Sequence, residues 1–502
     1  MLALAVGLPA CAPRADTKDP SRPLELVVSN DAETLDPRYA TDAVSLRATR
    51  LIHAGLVRLD ADTLAPVPAM ARAWAWIDSR TLRVELRDDA RFHSGAPLAP
   101  RDVVATIRAF GSPAVKSRHA RVVEAIGSVE EDGAHAVIIR LNQAHATLLT
   151  DLELPILRAD QAESPPDPCG ALDGLGPYAV ASCEPGTLLL HRAGNPAPAH
   201  DVVIRTVHDE NARAMRLYAG RTDIALNQIS PTLLPAMESQ PSLTITSRPG
   251  ANLTYLVVRE RGRQLPGSSG GWSTPGSPLD EVGVRRAISS AIDRASLTRT
   301  LLGGYATPAD GVIPKTHWAH LDAPLDPALT FDPDASRRAL AGFAPLHLTL
   351  LTSTDRLRIS IARTIAQELE EVGVDLEVIP LALGTLLARL NAGDFDLASL
   401  QLPEFTEPHV LRNFLGSAFI PPAGPNRGRI RDAVLDALLD EGGATMGLDE
   451  RRTIYARASA RIVEQMHIIP LWQEDQVVVT DVRARAFVPS AEGRWLSVAT
   501  VP

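Results

Sequence analysis

Hydrophobic and polar residues alternate over Thr81–Arg87, where Leu82, Val84 and Leu86 are separated by charged side chains. This period of two predicts a strand with one buried face and one wet face. A turn follows at His93–Gly95, and Pro100 is suited to the first turn of a helix. Apolar residues then recur at helical spacing, namely Val103, Val104, Ile107 and Phe110. The pattern predicts a strand, a turn and an amphipathic helix.

A second pattern lies in the later part of the chain. Leu346–Ser353 is a compact apolar run of strand length, Ile359–Val372 carries apolar residues at helical spacing, and Val374–Leu381 is again strand-like. A strand, helix and strand in this order predict a βαβ unit with parallel pairing and a right-handed crossover.

Composition narrows the class of protein. The chain has 502 residues, of which 45% are hydrophobic and 22% are charged, so it is globular and long enough for two or three packed units. Its formal net charge of −10 argues against nucleic-acid binding, which requires a concentrated basic face.

Nine segments, in order, resemble the family 5 solute-binding proteins, the oligopeptide and dipeptide class that serves ABC importers. The resemblance runs from about residue 24 to 485 and rests on these segments: Glu33–Pro37, Gly55–Trp74, Thr81–Ile107, Gly174–Tyr178, Tyr218–Pro231, Asp280–Ala309, Phe331–Leu340, Asp394–Ser399 and Pro470–Val479.

This resemblance implies an α/β, bilobal periplasmic-binding-protein-like fold with an extra domain. Lobe I is expected to comprise 24–57, 172–255 and 472–502, an inserted domain II 58–171, and lobe II 256–471. Ligand is expected between the two lobes, which two chain crossings would join as a hinge. The resemblance also implies a monomer without a cofactor, which binds a small peptide or similar polar solute and meets an ABC permease and ATPase.

The N-terminus is predicted to be a targeting segment, with residues 1–23 serving as signal peptide, lipobox and tether. Met1–Ala10 is almost wholly apolar but too short to span a bilayer, and Leu8–Cys11 is lipobox-like. In a bacterial lipoprotein Cys11 would carry the lipid, which would place the chain on the periplasmic side of a membrane. No Lys or Arg precedes Cys11, and the alternative is an unmodified cysteine in a tail.

The other two cysteines, Cys169 and Cys183, flank the Gly174–Tyr178 turn. In an exported protein they can form a disulfide, and the alternative is two unpaired buried thiols. A metal role is disfavoured because the sequence has no CxxC and no paired histidine nearby.

The predicted ligand site centres on Pro403–Pro408. Glu404 occupies the place where peptide-binding relatives carry an aspartate that pairs with the ligand's α-ammonium, and a buried ammonium needs such a partner. The alternative is a solvated loop carboxylate or a helix-start residue. Further predicted contacts are Phe405, Asn30, Ala32, Asn227 and Gln228.

Other functions remain as alternatives. An enzyme is disfavoured because the sequence offers no good nucleophile, metal or paired-carboxylate arrangement. An orphan receptor could keep the fold without import. A nickel chelate, haem or an oligosaccharide could replace the peptide, because one fold serves many ligands.

Overall fold

The computed structural model describes residues 22–117, 119–170, 172–194, 196–260 and 277–502. Residues 1–21 of the predicted targeting segment, including Cys11, lie outside these ranges. Among the helices in these ranges, none has both the length and the apolar character needed to cross a membrane.

The first large sheet has seven strands and draws them from distant parts of the chain. Its central strand, Leu24–Val28, is buried on both faces and pairs in parallel with Val202–Thr206 and Ile224–Leu226. Continuous apolar residues are typical of a strand covered on both sides. The strand order is Leu243–Arg248, Gln476–Asp481, Ile224–Leu226, Leu24–Val28, Val202–Thr206, Thr187–Arg192 and Tyr178–Glu184.

The second large sheet has six strands, and Leu253–Val258 is fully buried near its centre. The predicted βαβ unit is confirmed, because Leu346–Ser353 pairs in parallel with Val374–Leu381 across the helix Arg356–Glu370. The strand order is Ala306–Pro308, Ile468–Glu474, Leu253–Val258, Leu397–Leu402, Leu346–Ser353 and Val374–Leu381.

A smaller antiparallel sheet is built from residues between the first strand and the 178–206 strands. Its order is Ala71–Asp78, Thr81–Leu86, Ala136–Leu141 and Ile126–Glu131, and a two-stranded pair, Val57–Leu59 with Pro66–Pro68, precedes it. The predicted alternation is confirmed: Leu82, Val84 and Leu86 are at most 1% exposed. They pack with Val103 and Ile107 of the predicted helix, which spans Pro100–Gly111.

The described helices pack on the faces of these sheets. Those before residue 250 are Ala43–Ile52, Pro100–Gly111, Ala120–Glu124, Leu148–Asp151, Glu210–Tyr218 and Leu234–Glu238. Those after residue 277 are Val282–Ser290, Arg294–Thr300, Pro333–Leu340, Arg356–Glu370, Leu383–Ala392, Val410–Leu415, Ala433–Ala444 and Leu448–Gln465. The two large sheets and their helices form the two lobes of an α/β fold, and the exact domain boundaries stay a prediction.

Two chain crossings between the large sheets lie side by side, one at 248–253 and one at 474–476. Asn252, which is 5% exposed, joins them: its Nδ2 donates to the Glu474 carbonyl oxygen at 2.7 Å and its Oδ1 accepts from the Glu474 amide at 2.8 Å. Gly250 allows this approach, since a Cβ there would lie 2.3 Å from the Glu474 oxygen. The Asn252 side chain therefore satisfies the Glu474 backbone groups in the way that a neighbouring strand would.

Cys169 and Cys183 form a disulfide in the structure, with their Cα atoms 5.6 Å apart. The bond closes the segment that leads into the first lobe's strand Tyr178–Glu184.

Replacing Asn252 with Ala should lower the free energy of unfolding by about 2 kcal/mol, because two buried backbone groups of Glu474 lose their partners. Urea denaturation of both proteins measures this difference. Asn391→Ala, at an exposed position that accepts one hydrogen bond from Arg427, is the matched control and should change stability by less than about 0.5 kcal/mol. Equal losses in the two variants would show that Asn252 does not join the crossings.

Candidate ligand-binding cavity

A cavity of about 1170 Å³ lies where three parts of the chain meet. Its walls come from 37–50 of the first lobe, from 119–155 beside the smaller sheet, and from 404–444 of the second lobe. A site at the meeting of several domains is where small-molecule ligands are commonly bound.

The first wall is the helix Ala43–Ile52. Asp42 caps its N-terminus by accepting hydrogen bonds from the amides of Val44 and Ser45 at 3.0 and 2.9 Å. Its buried face packs against the seven-stranded sheet through Ala48, Leu51 and Ile52. Helical geometry then turns three other residues toward the cavity, namely Leu46, Thr49 and Arg50.

The second-lobe wall includes the loop after the strand Leu397–Leu402. Phe405 fixes this loop: its ring is fully buried, lies edge-on to His317 with centroids 5.4 Å apart, and its amide donates to the Ala251 carbonyl at 2.7 Å. Glu404, the preceding residue, is half-buried and lines the cavity. It lies in the loop, since the next helix begins only at Val410.

Glu404 differs from four other acids of the cavity wall, of which Asp151, Glu153 and Glu407 are half-buried and Asp440 is exposed. Within the described ranges it has no hydrogen bond and no ion pair. The other acids are engaged: Asp151 accepts from Thr147 at 2.8 Å, Glu153 pairs with Arg494, Glu407 with Arg451, and Asp440 with Arg412 at 2.6 Å. Glu404 is therefore the partly buried carboxylate that can take a cation from a ligand.

Two arginines of the first helix lie near Glu404. Burial lowers the pKa of Arg47, whereas the Glu404 carboxylate raises it. Burial and the neighbouring Arg494 lower the pKa of Arg50, whereas Glu153, Glu404 and Glu492 raise it. Glu404 therefore interacts electrostatically with both guanidinium groups, although no ion pair joins them within the described residues.

Arg494 anchors the C-terminal segment beneath this wall. It is 4% exposed, and its Nη2 lies 2.8 Å from Glu153 Oε2 while its Nε lies 2.7 Å from Glu492 Oε1. Burial alone would lower the pKa of Arg494, but the two carboxylates raise it above the usual value. These buried ion pairs thus hold the segment around Arg494 against Glu153, which in turn pairs with Arg50 of the first helix.

Glu407 bridges the second lobe to the other walls. It pairs with Arg451, whose guanidinium is 2% exposed and lies 5.2 Å from the Trp318 ring centroid. The hydroxyl of Thr150 donates to Glu407 Oε2 at 3.1 Å, and the Ala146 amide donates to the Gly443 carbonyl at 2.9 Å. These contacts close one end of the cavity.

Histidines also line the wall. Burial, together with the nearby Arg412, Arg451 and His145, lowers the pKa of His409 to about 4, so that its ring is neutral at pH 7. Its Nδ1 lies 2.9 Å from the Tyr455 hydroxyl. Across the described part of the chain, no group of three or more His, Cys, Asp or Glu is arranged to hold a metal ion.

Of the six predicted ligand contacts, Glu404 lines this cavity and the other five do not. Phe405 is a core residue because its ring fills a space beneath the loop. Asn30 is exposed and donates to Ser29 Oγ at 3.1 Å, while Ala32 packs against the core of the first lobe. The side chain of Gln228 donates to the Leu226 carbonyl at 3.3 Å.

The side chain of Asn227 stabilises a chain crossing and does not line the cavity. Its Nδ2 lies 2.5 Å from Gln476 Oε1, and its Oδ1 accepts from the Val477 amide at 2.9 Å. Its side-chain amide thus holds the crossing at 474–476 in place.

Arg50 is among the cavity residues that the sequence analysis missed. Its signal is its helical spacing from Leu46 and Arg47 on one face.

A family model described as "Bacterial extracellular solute-binding proteins, family 5 Middle" matches residues 65–416. Among curated relatives, the chain is 26% identical over 481 residues to "Probable di/tripeptide-binding protein 5" of Pseudomonas aeruginosa, covering 88% of each chain.

Two solved structures share the fold. The periplasmic murein tripeptide binding protein MppA, in its unliganded open form, gives a TM-score of 0.80 at 20% identity and covers 96% of this chain and 97% of its own. NikZ from Campylobacter jejuni, in complex with Ni(L-His), gives 0.73 at 21% identity and covers 95% and 98%.

Removing the charge of Arg494 should destabilise the protein by about 3 kcal/mol, because Glu492 would remain buried without its cation and Glu153 would keep only its 3.5 Å ion pair with Arg50. Urea denaturation of Arg494→Met measures the loss. Arg412→Met breaks the more exposed pair with Asp440 and should cost less than about 1 kcal/mol. An Arg494 variant as stable as the Arg412 variant would contradict the anchoring role.

Proposed function

This chain belongs to the family 5 bacterial extracellular solute-binding proteins, and from that premise we propose that it captures short peptides between its lobes and delivers them to an ABC importer. Family membership accounts for binding and transport, and the choice of peptide as ligand is our inference. The name of the di/tripeptide-binding relative, which matches 88% of this chain, supports that choice. No catalytic step is assigned to the protein.

The observation that carries the proposal is the state of Glu404. A half-buried carboxylate without a hydrogen bond or ion pair among the described residues has lost part of its hydration and gained no direct partner. A peptide's α-ammonium would supply a charge-assisted hydrogen bond at this point. The neighbouring acids cannot serve equally, because each is already paired with an arginine or a hydroxyl.

Size and enclosure agree with a small peptide. A cavity of about 1170 Å³ is slightly larger than the roughly 300–1,000 Å³ typical of small-ligand sites. Contacts such as Thr150–Glu407 and Ala146–Gly443 bring the walls together at one end. Closure of the lobes about the crossings at 248–253 and 474–476 would surround the ligand, and its contacts to both lobes would favour the closed form.

A metal chelate is the second candidate. The neutral ring of His409 lies at the cavity wall, and a neutral imidazole can bind a metal that arrives with its own ligands. NikZ, which shares the fold, was solved with Ni(L-His). A haem or an oligosaccharide remains a further alternative without a specific residue in its favour.

Glu404→Gln should weaken trialanine binding by about tenfold or more, because a neutral amide replaces the charge-assisted partner of the ammonium. Isothermal titration calorimetry measures the dissociation constants. N-acetyl-trialanine, which lacks the ammonium, should bind the unaltered protein as weakly as trialanine binds the variant.

Glu124→Gln is the matched control, because Glu124 is an exposed acid at the edge of the same cavity and should leave trialanine affinity unchanged. Equal affinity for the acetylated and free peptides would contradict the role of Glu404. Binding of Ni(L-His) with no binding of any peptide would favour the second candidate.

We also propose that Cys11 carries a lipid that holds the protein at the periplasmic face of a membrane, next to its permease. The support is the lipobox-like Leu8–Cys11 sequence. In a bacterial host, Cys11→Ser should move the protein from the membrane fraction to the soluble fraction. Cys183→Ser, a change at a cysteine far from the lipobox, should stay in the membrane fraction. If the Cys11 variant also stayed there, lipidation at Cys11 would be wrong.

A further inference from the structure

Arg50 is a partly buried cation whose hydrogen-bonding capacity is unused. Its side chain is 21% exposed and lines the cavity, and its contact in the described ranges is one ion pair, 3.5 Å from Nη2 to Glu153 Oε2. The Arg50 side chain makes no hydrogen bond among these residues. A guanidinium has five N–H donors, so the Arg50 side chain can donate hydrogen bonds to a further anion.

Glu153 does not neutralise Arg50 fully because Arg494 holds it from the other side. Both carboxylate oxygens of Glu153 bond to Arg494, and Oε1 also accepts from the Leu59 amide at 3.3 Å. Arg494 also repels Arg50, which adds to the cost of its burial. An anion on the cavity side of Arg50 would reduce that cost.

Arg47, one turn earlier, is in a similar condition. Its Nε is buried and, in the described structure, has no hydrogen-bond partner. Arg47 and Arg50 lie on one face of the helix because they are three residues apart. The Glu404 carboxylate raises the pKa of both guanidinium groups, yet neither forms an ion pair with it among the described residues.

Two side chains of opposite charge therefore line the same cavity, the Glu404 carboxylate on the second lobe and the Arg50 guanidinium on the first. A cation bound at Glu404 alone would leave Arg50 without a further anion. A zwitterion adds no net charge and can satisfy both walls.

We propose that Arg50 binds the terminal carboxylate of the short peptide whose ammonium binds Glu404, so that the two walls together select zwitterions. Arg47, which does not line the cavity, adds positive charge from the preceding turn. This inference rests on the proposed function, because it assigns the second end of the same ligand. A peptide that bridges both walls would also join the two lobes through its own charges.

The test compares trialanine with trialaninamide, which keeps the ammonium and lacks the carboxylate. Calorimetry should show that the unaltered protein binds the free acid about tenfold or more tighter than the amide. In Arg50→Gln this ratio should fall to about one, through loss of affinity for the acid alone. Arg50→Lys should restore part of the ratio because it keeps the positive charge.

Arg412→Gln is the matched control, because it removes a cavity-wall arginine that is already paired with Asp440, and it should keep the original acid-to-amide ratio. Thermal unfolding of each variant verifies that it is folded. If Arg50→Gln does not fold, the Arg50→Lys ratio decides: an unchanged preference for the acid alongside an unchanged affinity for the amide would contradict the contact between the Arg50 guanidinium and the carboxylate.

The two proposals fail in different ways. If trialanine binds and Glu404→Gln weakens it, but the acid and the amide bind equally well, the role of Arg50 is wrong and the peptide function stands. An Arg50→Gln variant that weakens both ligands equally also overturns the carboxylate role. If neither ligand binds the unaltered protein, the peptide function fails and this inference fails with it.

Discussion

The two large sheets are connected by two chain crossings that lie against each other, and the remaining architecture depends on this narrow connection. Asn252 bonds one crossing to the Glu474 backbone of the other, and Asn227 holds Gln476 and Val477 immediately afterwards. Because these contacts are local, the lobes can change their separation without breaking either sheet. A cavity between lobes joined in this way can open to admit a ligand and close around it.

Charge placement explains why the cavity is more than empty space between lobes. Partly buried ions are costly unless they are paired, and Asp151, Glu153 and Glu407 at the cavity each have a partner. Among the described residues, Glu404 on the second lobe has no such partner, and Arg50 on the first lobe has only its 3.5 Å ion pair with Glu153. The unliganded form thus retains an electrostatic cost that a zwitterion between the lobes would relieve, and this relief would favour closure.

The sequence predicts the fold well where local pattern and burial agree. The alternation at Thr81–Arg87, the helix after Pro100 and the βαβ unit at 346–381 all reflect periodicity enforced by one buried face. The predicted bounds of the two strands in the βαβ unit match those of the structure. The helix between them begins at Arg356 rather than near Ile359, because Asp355 caps it.

The site is harder to predict because it joins residues far apart in the chain. The Glu404 position could be found from the resemblance of its loop. Phe405 and Asn227 were assigned to the ligand, but a neighbouring residue in a loop can point into the core, and an amide at a strand end can bond to the backbone. Arg50 was missed because its significance depends on Glu153 being occupied by Arg494, a contact across 341 positions of sequence.

A crystal structure of the protein with trialanine tests the central claim most directly. The account predicts one peptide in the cavity, with its ammonium within hydrogen-bonding distance of Glu404 and its carboxylate on the Arg50 guanidinium. A peptide bound in the reverse direction, or at a place where neither side chain contacts it, would contradict the account.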